Sequence, residues 1–320
     1  MMTRPWLLAD IGGTRTRVGL GGSAGLDHAS LRTYKNNAFD TPEDLLRHYL
    51  NQIKPLHPPD ALCAGVAGPV RGDSAQLTNH SWHLNHANLR QATGADHVTL
   101  LNDLQAQGYA LNDLDTSSIT PLFAGAQAAE TATRLVIGLG TGSNIAVVHE
   151  IPTGLWVPPS ETGHTNLPYA PGRLGQAIDA LAKVHPHRPL EAALSGPGLG
   201  HMHHALHGTH LSARAIIAQH AADTAEASET MRLFVALLGQ VCGDLALAHL
   251  PMGGVYFIGG LARALAPFLK PLGFHDRFCA KGPYQPILQD IPVTLITDDT
   301  AAVVGCNRYL MQTITQQARD

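Results

Sequence analysis

Two short glycine turns in this chain could each cradle a phosphate group. One is Asp10-Ile11-Gly12-Gly13-Thr14 and the other Gly138-Leu139-Gly140-Thr141-Gly142. Such turns present backbone N–H groups with no side chain in the way, and each threonine adds a hydroxyl, a combination that suits phosphate oxygens. Asp10 directly precedes the first turn, where its carboxylate could hold Mg²⁺ through water or simply cap the turn. Arg15 and Arg17 beside it favour the first reading. No G-x-x-x-x-G-K-[ST] run occurs, and Gly138, Gly140 and Gly142 do not make a G-x-G-x-x-G pattern, which argues against a P-loop and a dinucleotide-binding fold.

Three further groups carry chemistry. Asn102-Asp103 ends an apolar run, where a carboxylate beside an amide could orient a hydroxyl and take its proton as that oxygen attacks phosphorus. The competing use is an Asx turn or helix N-cap. Glu161 and His164 share a Pro/Gly-rich loop, and a carboxylate can accept from two adjacent hydroxyls of a sugar ring. Glu191 precedes Leu194-Ser195-Gly196-Pro197-Gly198 and reads either as a ligand or as a helix-surface charge. Among nineteen histidines, His201, His203, His204, His207 and His210 cluster; without adjacent acids or cysteines they read as a solvated helix face, not a metal site.

The elements that must position these groups are legible. Each glycine turn lies between apolar runs, at 7–20 and 135–148, and so predicts a hairpin. A third strand falls near 31–34. A helix opens at Thr41-Pro42-Glu43-Asp44, with Thr41 as N-cap and Pro42 in the first turn. Strands follow over 61–70 and 97–101, then a helix carrying Gln105 and Tyr109. The second half repeats the order: hairpin, loops at 151–174, a helix at 175–183, a buried helix at 230–250, strands at 254–258 and 293–297, and a closing helix from Thr300. The alternation implies an α/β fold with duplicated mixed sheets, its motifs at strand ends facing a cleft between two lobes. Short crossings near 113–130 and 298–301 would hinge them. The expected domains are a small one of residues 1–115 plus 301–320 and a large one of 116–300.

Composition narrows the class. The 320 residues suit two lobes; 44% are hydrophobic, 14% are charged and the net charge is −4. Lys and Arg total only 21, which leaves no footprint for nucleic acid. The four cysteines are scattered without C-x-x-C spacing, as in a reducing cytoplasm. No signal segment is expected. The most membrane-like stretch, 231–250, carries Arg232, Gln240, Asp244 and His249 and reads as a buried helix, with Gly239 and Gly243 serving close helix packing.

Together these residues closely resemble the bacterial glucokinase family, ATP-dependent kinases of the hexokinase/actin-like (ribonuclease H-like ATPase) superfamily. Nearly the whole chain takes part. The motifs are Asp10–Thr14, Ala64-Gly65-Val66-Ala67-Gly68-Pro69-Val70, Leu77-Thr78-Asn79-His80-Ser81-Trp82, Leu101-Asn102-Asp103, Gly140-Thr141-Gly142, Glu161-x-Gly163-His164, Leu194–Leu199, Gly253–Gly260 and Asp290-Ile291-Pro292-Val293. The resemblance implies transfer of the γ-phosphoryl of ATP to the 6-hydroxyl of glucose, with Asp103 as general base. Asn102, Asp103, Glu161, His164 and Glu191 would bind the sugar. Asp10, Gly12, Gly13 and Thr14, facing Thr141 and Gly142, would clamp Mg²⁺ and phosphate, and Ser195, Gly196, Gly259 and Gly260 would form the adenosine side. A homodimer is implied as well.

Three departures stand out. Arg15 replaces the family's usual Asn, Ser143-Asn144 replaces Leu-Gly after Gly-Thr-Gly, and Thr162 replaces Gly between Glu161 and Gly163. The zinc-bearing cysteine cluster of the neighbouring repressor/open-reading-frame/kinase family is absent from the sequence. The alternatives left by these departures are a kinase for another hexose or amino sugar, and a non-catalytic sugar-binding regulator built on a kinase.

Overall fold

The computed structural model describes residues 4–317; residues 1–3 and 318–320, the outermost of the expected small domain, lie outside them. The chain forms two units, one of residues up to 116 with 151–159 and 298 onward, the other of 117–150 and 160–297.

In the first unit, β1 (Trp6–Ile11) turns back into β2 (Arg15–Gly22) as an antiparallel hairpin, with Ile11 opposite Thr16. β3 (Gly25–Lys35), far longer than the expected 31–34, extends the edge. β4 (Ala61–Val66) pairs parallel with β1. The expected strand to Val70 ends at Val66: Ala67 N–H makes the last ladder bond, to Ile11 O at 3.0 Å, and Gly68 N–H turns back onto Val66 O at 2.8 Å. Val70–Arg71 (β5), Ser74–Gln76 (β6) and His83–Asn85 (β7) make a separate small sheet. β8 (His97–Asn102) pairs parallel with β4, so the main sheet runs β3-β2-β1-β4-β8.

Helix α1 (Pro42–Ile53) starts as expected, with Thr41 Oγ1 accepting Asp44 N–H at 3.1 Å. Its Leu45, Leu46 and Tyr49 pack with Leu7, Ala9 and Ile11 of β1 and with α2 (His86–Thr93) to fill one core. Alternation on β1 requires this, since residues two apart share a face. The C-terminal helix Ala301–Gln317 and α3 (Asp103–Tyr109) pack together; Cys306 of that helix lies on Ala9 O of β1, 3.6 Å away. Residues 151–159 join this unit through side chains. Gln312 bonds both Leu155 N and Leu155 O, at 3.0 and 2.8 Å, and Gln105 Nε2 donates to Val157 O at 2.9 Å.

In the second unit, β9 (Ile119–Phe123) is an edge strand, and β10 (Arg134–Leu139) and β11 (Ser143–Ile151) form the second hairpin. β10 pairs parallel with β12 (Val255–Ile258), which pairs parallel with β13 (Val293–Ile296), giving the order β11-β10-β12-β13-β9. The series hairpin, parallel strand, parallel strand thus occurs in both sheets, as the repeated element order predicts.

The helices are α4 (Gly172–Val184), α5 (Leu190–Ala193), α6 (Gly196–His207), α7 (Ala213–Ala221), α8 (Ala225–His249), α9 (Gly260–Leu269), α10 (Phe274–Cys279) and α11 (Gln285–Gln289). By length and composition α8 could cross a membrane, yet Met231, Phe234, Leu237, Leu238 and Val241 bury it in the core of this unit. Gly239 and Gly243 bring it against α10: a Cβ on either would fall 2.6 Å from Phe274 O or 2.4 Å from Phe278 O. The histidine-rich stretch on α6 is not wholly solvated. His201, His204 and His210 are exposed, but His203 is buried, with Nδ1 2.9 Å from Thr230 Oγ1 of α8. Among the described residues no three His, Cys, Asp or Glu side chains are grouped to hold a metal.

Candidate active site

The first unit carries one glycine turn and the Asn102-Asp103 pair. Gly12 N–H closes the first turn on Arg15 O at 3.0 Å, leaving Thr14 and Arg15 exposed. A residue the sequence did not announce fixes its shape: buried Asn36 donates from Nδ2 to Gly12 O (2.7 Å), accepts from Thr16 Oγ1 (2.9 Å), and donates its N–H to Thr14 O (3.0 Å). Asp10 is half-buried, with Oδ2 3.1 Å from Arg17 Nη1; burial raises its carboxyl pKa, Arg17 opposes the rise, and Asp299 adds to it. Arg17 therefore acts first as the partner of Asp10.

Asn102 turns out to be an N-cap. Its Oδ1 accepts Leu104 N–H at 3.0 Å while Gln105 Oε1 accepts Asn102 N–H at 3.1 Å, the reciprocal arrangement of a capping box. Asn102 Nδ2 donates to Gly68 O at 3.3 Å, tying the strand end to the Gly68-Pro69 turn. The structural and chemical readings of this pair are therefore compatible: the cap begins α3 at Asp103. That carboxylate stands on the helix's first turn, its Oδ1 accepting Leu104 N–H at 2.9 Å.

The second unit brings together most of the remaining candidates. Gly140 N–H bonds Gly142 O at 2.9 Å to close the second turn, with Thr141 exposed. Gly196 N–H donates to Gly140 O at 2.8 Å, seating the start of α6 against the turn, and Ser195 Oγ caps α6 by accepting Gly198 N–H at 3.1 Å. Gly259, at φ 109°, lies against the same strand end, where a Cβ would be 2.3 Å from Leu139 O. A glycine turn and the N-terminus of a 12-residue helix thus share one place, a ready anion site. Cβ atoms on Gly140 and Gly260 would meet nothing within 4 Å, so space remains beside both.

Glu161, His164 and Glu191 also converge. Residues 165–167 run alongside 188–190 through Leu167 N–H to Arg188 O (2.7 Å) and Leu190 N–H to Thr165 O (2.8 Å), which carries Glu191 back to the 161–164 loop. Burial raises the carboxyl pKa of Glu161; His164 lowers it, and Glu191 raises it further. Glu191 is no mere surface charge: its Oε2 accepts Ser143 N–H at 3.0 Å. Gly142 is what makes this approach possible, because a Cβ there would lie 2.3 Å from Glu191 Oε2.

The chain as a whole is matched by relatives. A family model described as Glucokinase matches residues 7–313. The chain belongs to the glucokinase family. The glucokinase of Saccharophagus degradans is 30% identical over 325 residues, covering 98% of this chain and 100% of its own. A solved glucokinase from an Antarctic psychrotroph superposes with a TM-score of 0.84 at 31% identity, over 97% of this chain and 99% of the other. A glucokinase of Balamuthia mandrillaris solved with glucose shares the fold at 18% identity, with a TM-score of 0.74 over 97% and 94% of the two chains. Against the glucokinase pattern, the Ser143-Asn144 departure falls on the two residues that hold the Glu191 and Glu161 carboxylates.

Proposed function

We propose that this enzyme transfers the γ-phosphoryl of ATP to the 6-hydroxyl of glucose, yielding glucose 6-phosphate and ADP. The observation that carries the proposal is the convergence of Glu161, His164 and Glu191 next to the Gly140–Gly142 turn, with Ser143 N–H joining the two groups. Two carboxylates and an imidazole offer acceptors for several neighbouring hydroxyls, as a hexose requires. In the first unit, Asp103 takes the 6-hydroxyl proton and Asn102 holds its place at the head of α3. The open faces of Gly140 and Gly260, with the capped start of α6, fit a nucleotide's phosphates and adenosine. Asp10 fits Mg²⁺, a cation that takes oxygen donors, keeps several waters and is usually held by one or two carboxylates and substrate phosphates. When bound, Mg²⁺ supplies charge neutralisation on the transferred group. The family resemblance supports a homodimer and a cytoplasmic setting as further parts of this proposal.

Purified protein supplied with glucose and Mg·ATP should form glucose 6-phosphate, read through a dehydrogenase-coupled assay. Asp103→Ala should lower kcat by about 10²–10⁴-fold, the usual contribution of a general base. Absence of product from folded wild-type protein, or an Asp103→Ala rate within about tenfold of it, would overturn the assignment.

A further inference from the structure

Asn144 stands where the glucokinase pattern has glycine, and in this chain its side chain is fully employed. Nδ2 donates to Ser160 O at 2.7 Å and to Glu161 Oε2 at 3.3 Å, while Oδ1 accepts Gly163 N–H at 3.3 Å. One amide therefore closes over both ends of the 160–163 loop. Its orientation is determined, since flipping it would face Oδ1 toward two acceptors and Nδ2 toward a donor. Beneath the loop, Thr162 and Gly163 cover a small apolar cavity lined also by Leu238, Val241 and Leu245 of α8, so packing from that side is incomplete.

We infer that Asn144 is a positioning residue for sugar recognition: through the Glu161 carboxylate it aims the sugar-binding loop and couples that loop to the phosphate turn. The inference rests on the function proposed above. Residues 143 and 144 together hold both acidic candidates, Glu191 through the Ser143 backbone and Glu161 through the Asn144 amide. Burial raises the Glu161 carboxyl pKa, His164 lowers it and the Glu191 carboxylate raises it further, so a neutral donor on Glu161 favours its charged, hydroxyl-accepting form.

The test is a double-mutant cycle of Asn144→Ala and Glu161→Gln, with KM for glucose, KM for ATP and kcat measured across pH. Asn144→Ala should raise KM for glucose about tenfold, leave KM for ATP within about twofold, and move the acid limb of kcat/KM for glucose to higher pH. In Glu161→Gln the charged acceptor is gone and only the bonds to Ser160 O and Gly163 N–H remain to be lost in full, so the same change should cost several-fold less than in the wild type. Asn144→Asp, which sets a charge against Glu161, should be worse than Asn144→Ala while folding equally well. Equal effects of Asn144→Ala in both backgrounds, or an unmoved acid limb, would overturn the inference alone. A wild-type enzyme that forms no glucose 6-phosphate would overturn the proposed function and this inference with it.

Discussion

Gly163→Ala offers a sharp test of how the 160–163 loop, proposed above to bind the sugar, is held. An alanine Cβ would sit 1.9 Å from Ser143 O, 3.0 Å from Ser143 C and 3.7 Å from Asn144 Cα. Non-bonded carbon and oxygen approach only to about 3.3 Å, so the loop must retreat by roughly 1.4 Å. The Gly163 N–H to Asn144 Oδ1 bond, already 3.3 Å long, does not survive that retreat, and the 3.3 Å Asn144–Glu161 bond is strained with it. Overpacking of this kind costs about 1–3 kcal/mol of stability, which leaves the protein folded. A displacement near 1 Å of a substrate-positioning group costs about 10²-fold in rate, so kcat/KM for glucose should fall by about that factor, or about 2.7 kcal/mol. The coupled assay, run over glucose and ATP concentrations beside a thermal melt, reads both effects. Gly22→Ala, whose Cβ would meet nothing within 4 Å, is the control and should change little. A Gly163→Ala enzyme within about threefold of wild type, or one that fails to fold, would refute the reasoning.

Other outcomes follow from the same geometry. Glu191→Gln removes a charge that raises the Glu161 pKa, so the acid limb of kcat/KM for glucose should move to lower pH while KM rises about tenfold; a limb moving upward would contradict the assigned proximity. Asn36→Ala strips the first turn of its buried partner and should cost about 1–3 kcal/mol in denaturant melts and raise KM for ATP, and an unchanged melt would show that the turn holds itself. His203 is kept neutral by burial first and by His207 next, against the pull of Glu226, so its folded pKa lies below the usual range. The unfolded chain takes this proton first as pH falls through about 6.5, and stability is lost below that point, at up to about 1.4 kcal/mol per pH unit until the folded pKa is reached. His203→Gln removes that contribution, so the melting-temperature gap between the two proteins should narrow from about pH 7.5 to about pH 5; a constant gap would place the acid sensitivity elsewhere.

Much of the architecture was legible because its causes are local. The apolar runs around Gly12-Gly13-Thr14 and Gly140-Thr141-Gly142 find their nearest backbone partners across the turn, and both became antiparallel hairpins. Thr41 caps α1 because its hydroxyl reaches an N–H three residues on, and α8 sets its apolar side, with Met231, Phe234, Leu238 and Val241, into the core while Arg232 and Asp244 stay exposed. The position of Asp103 at a strand end was readable for the same reason. The fate of the histidines was not: His203 and His204 are chemically identical neighbours, and only the placement of Thr230 on α8 buries one and exposes the other.

The sequence by itself determined the repeated strand and helix order, the two phosphate-type turns and the inventory of acids and amides that sugar phosphorylation needs. Hydrophobic periodicity, capping and turn chemistry act over a few residues, and a sequence displays them directly. Tertiary structure alone decided which of those groups meet. Ser143 reaches Glu191 across 48 positions, Asn36 reaches back 24 positions to Gly12 O, and Gly142 is small so that a distant carboxylate can approach. Such contacts are set by how whole strands and helices pack, and no pattern among near neighbours encodes them.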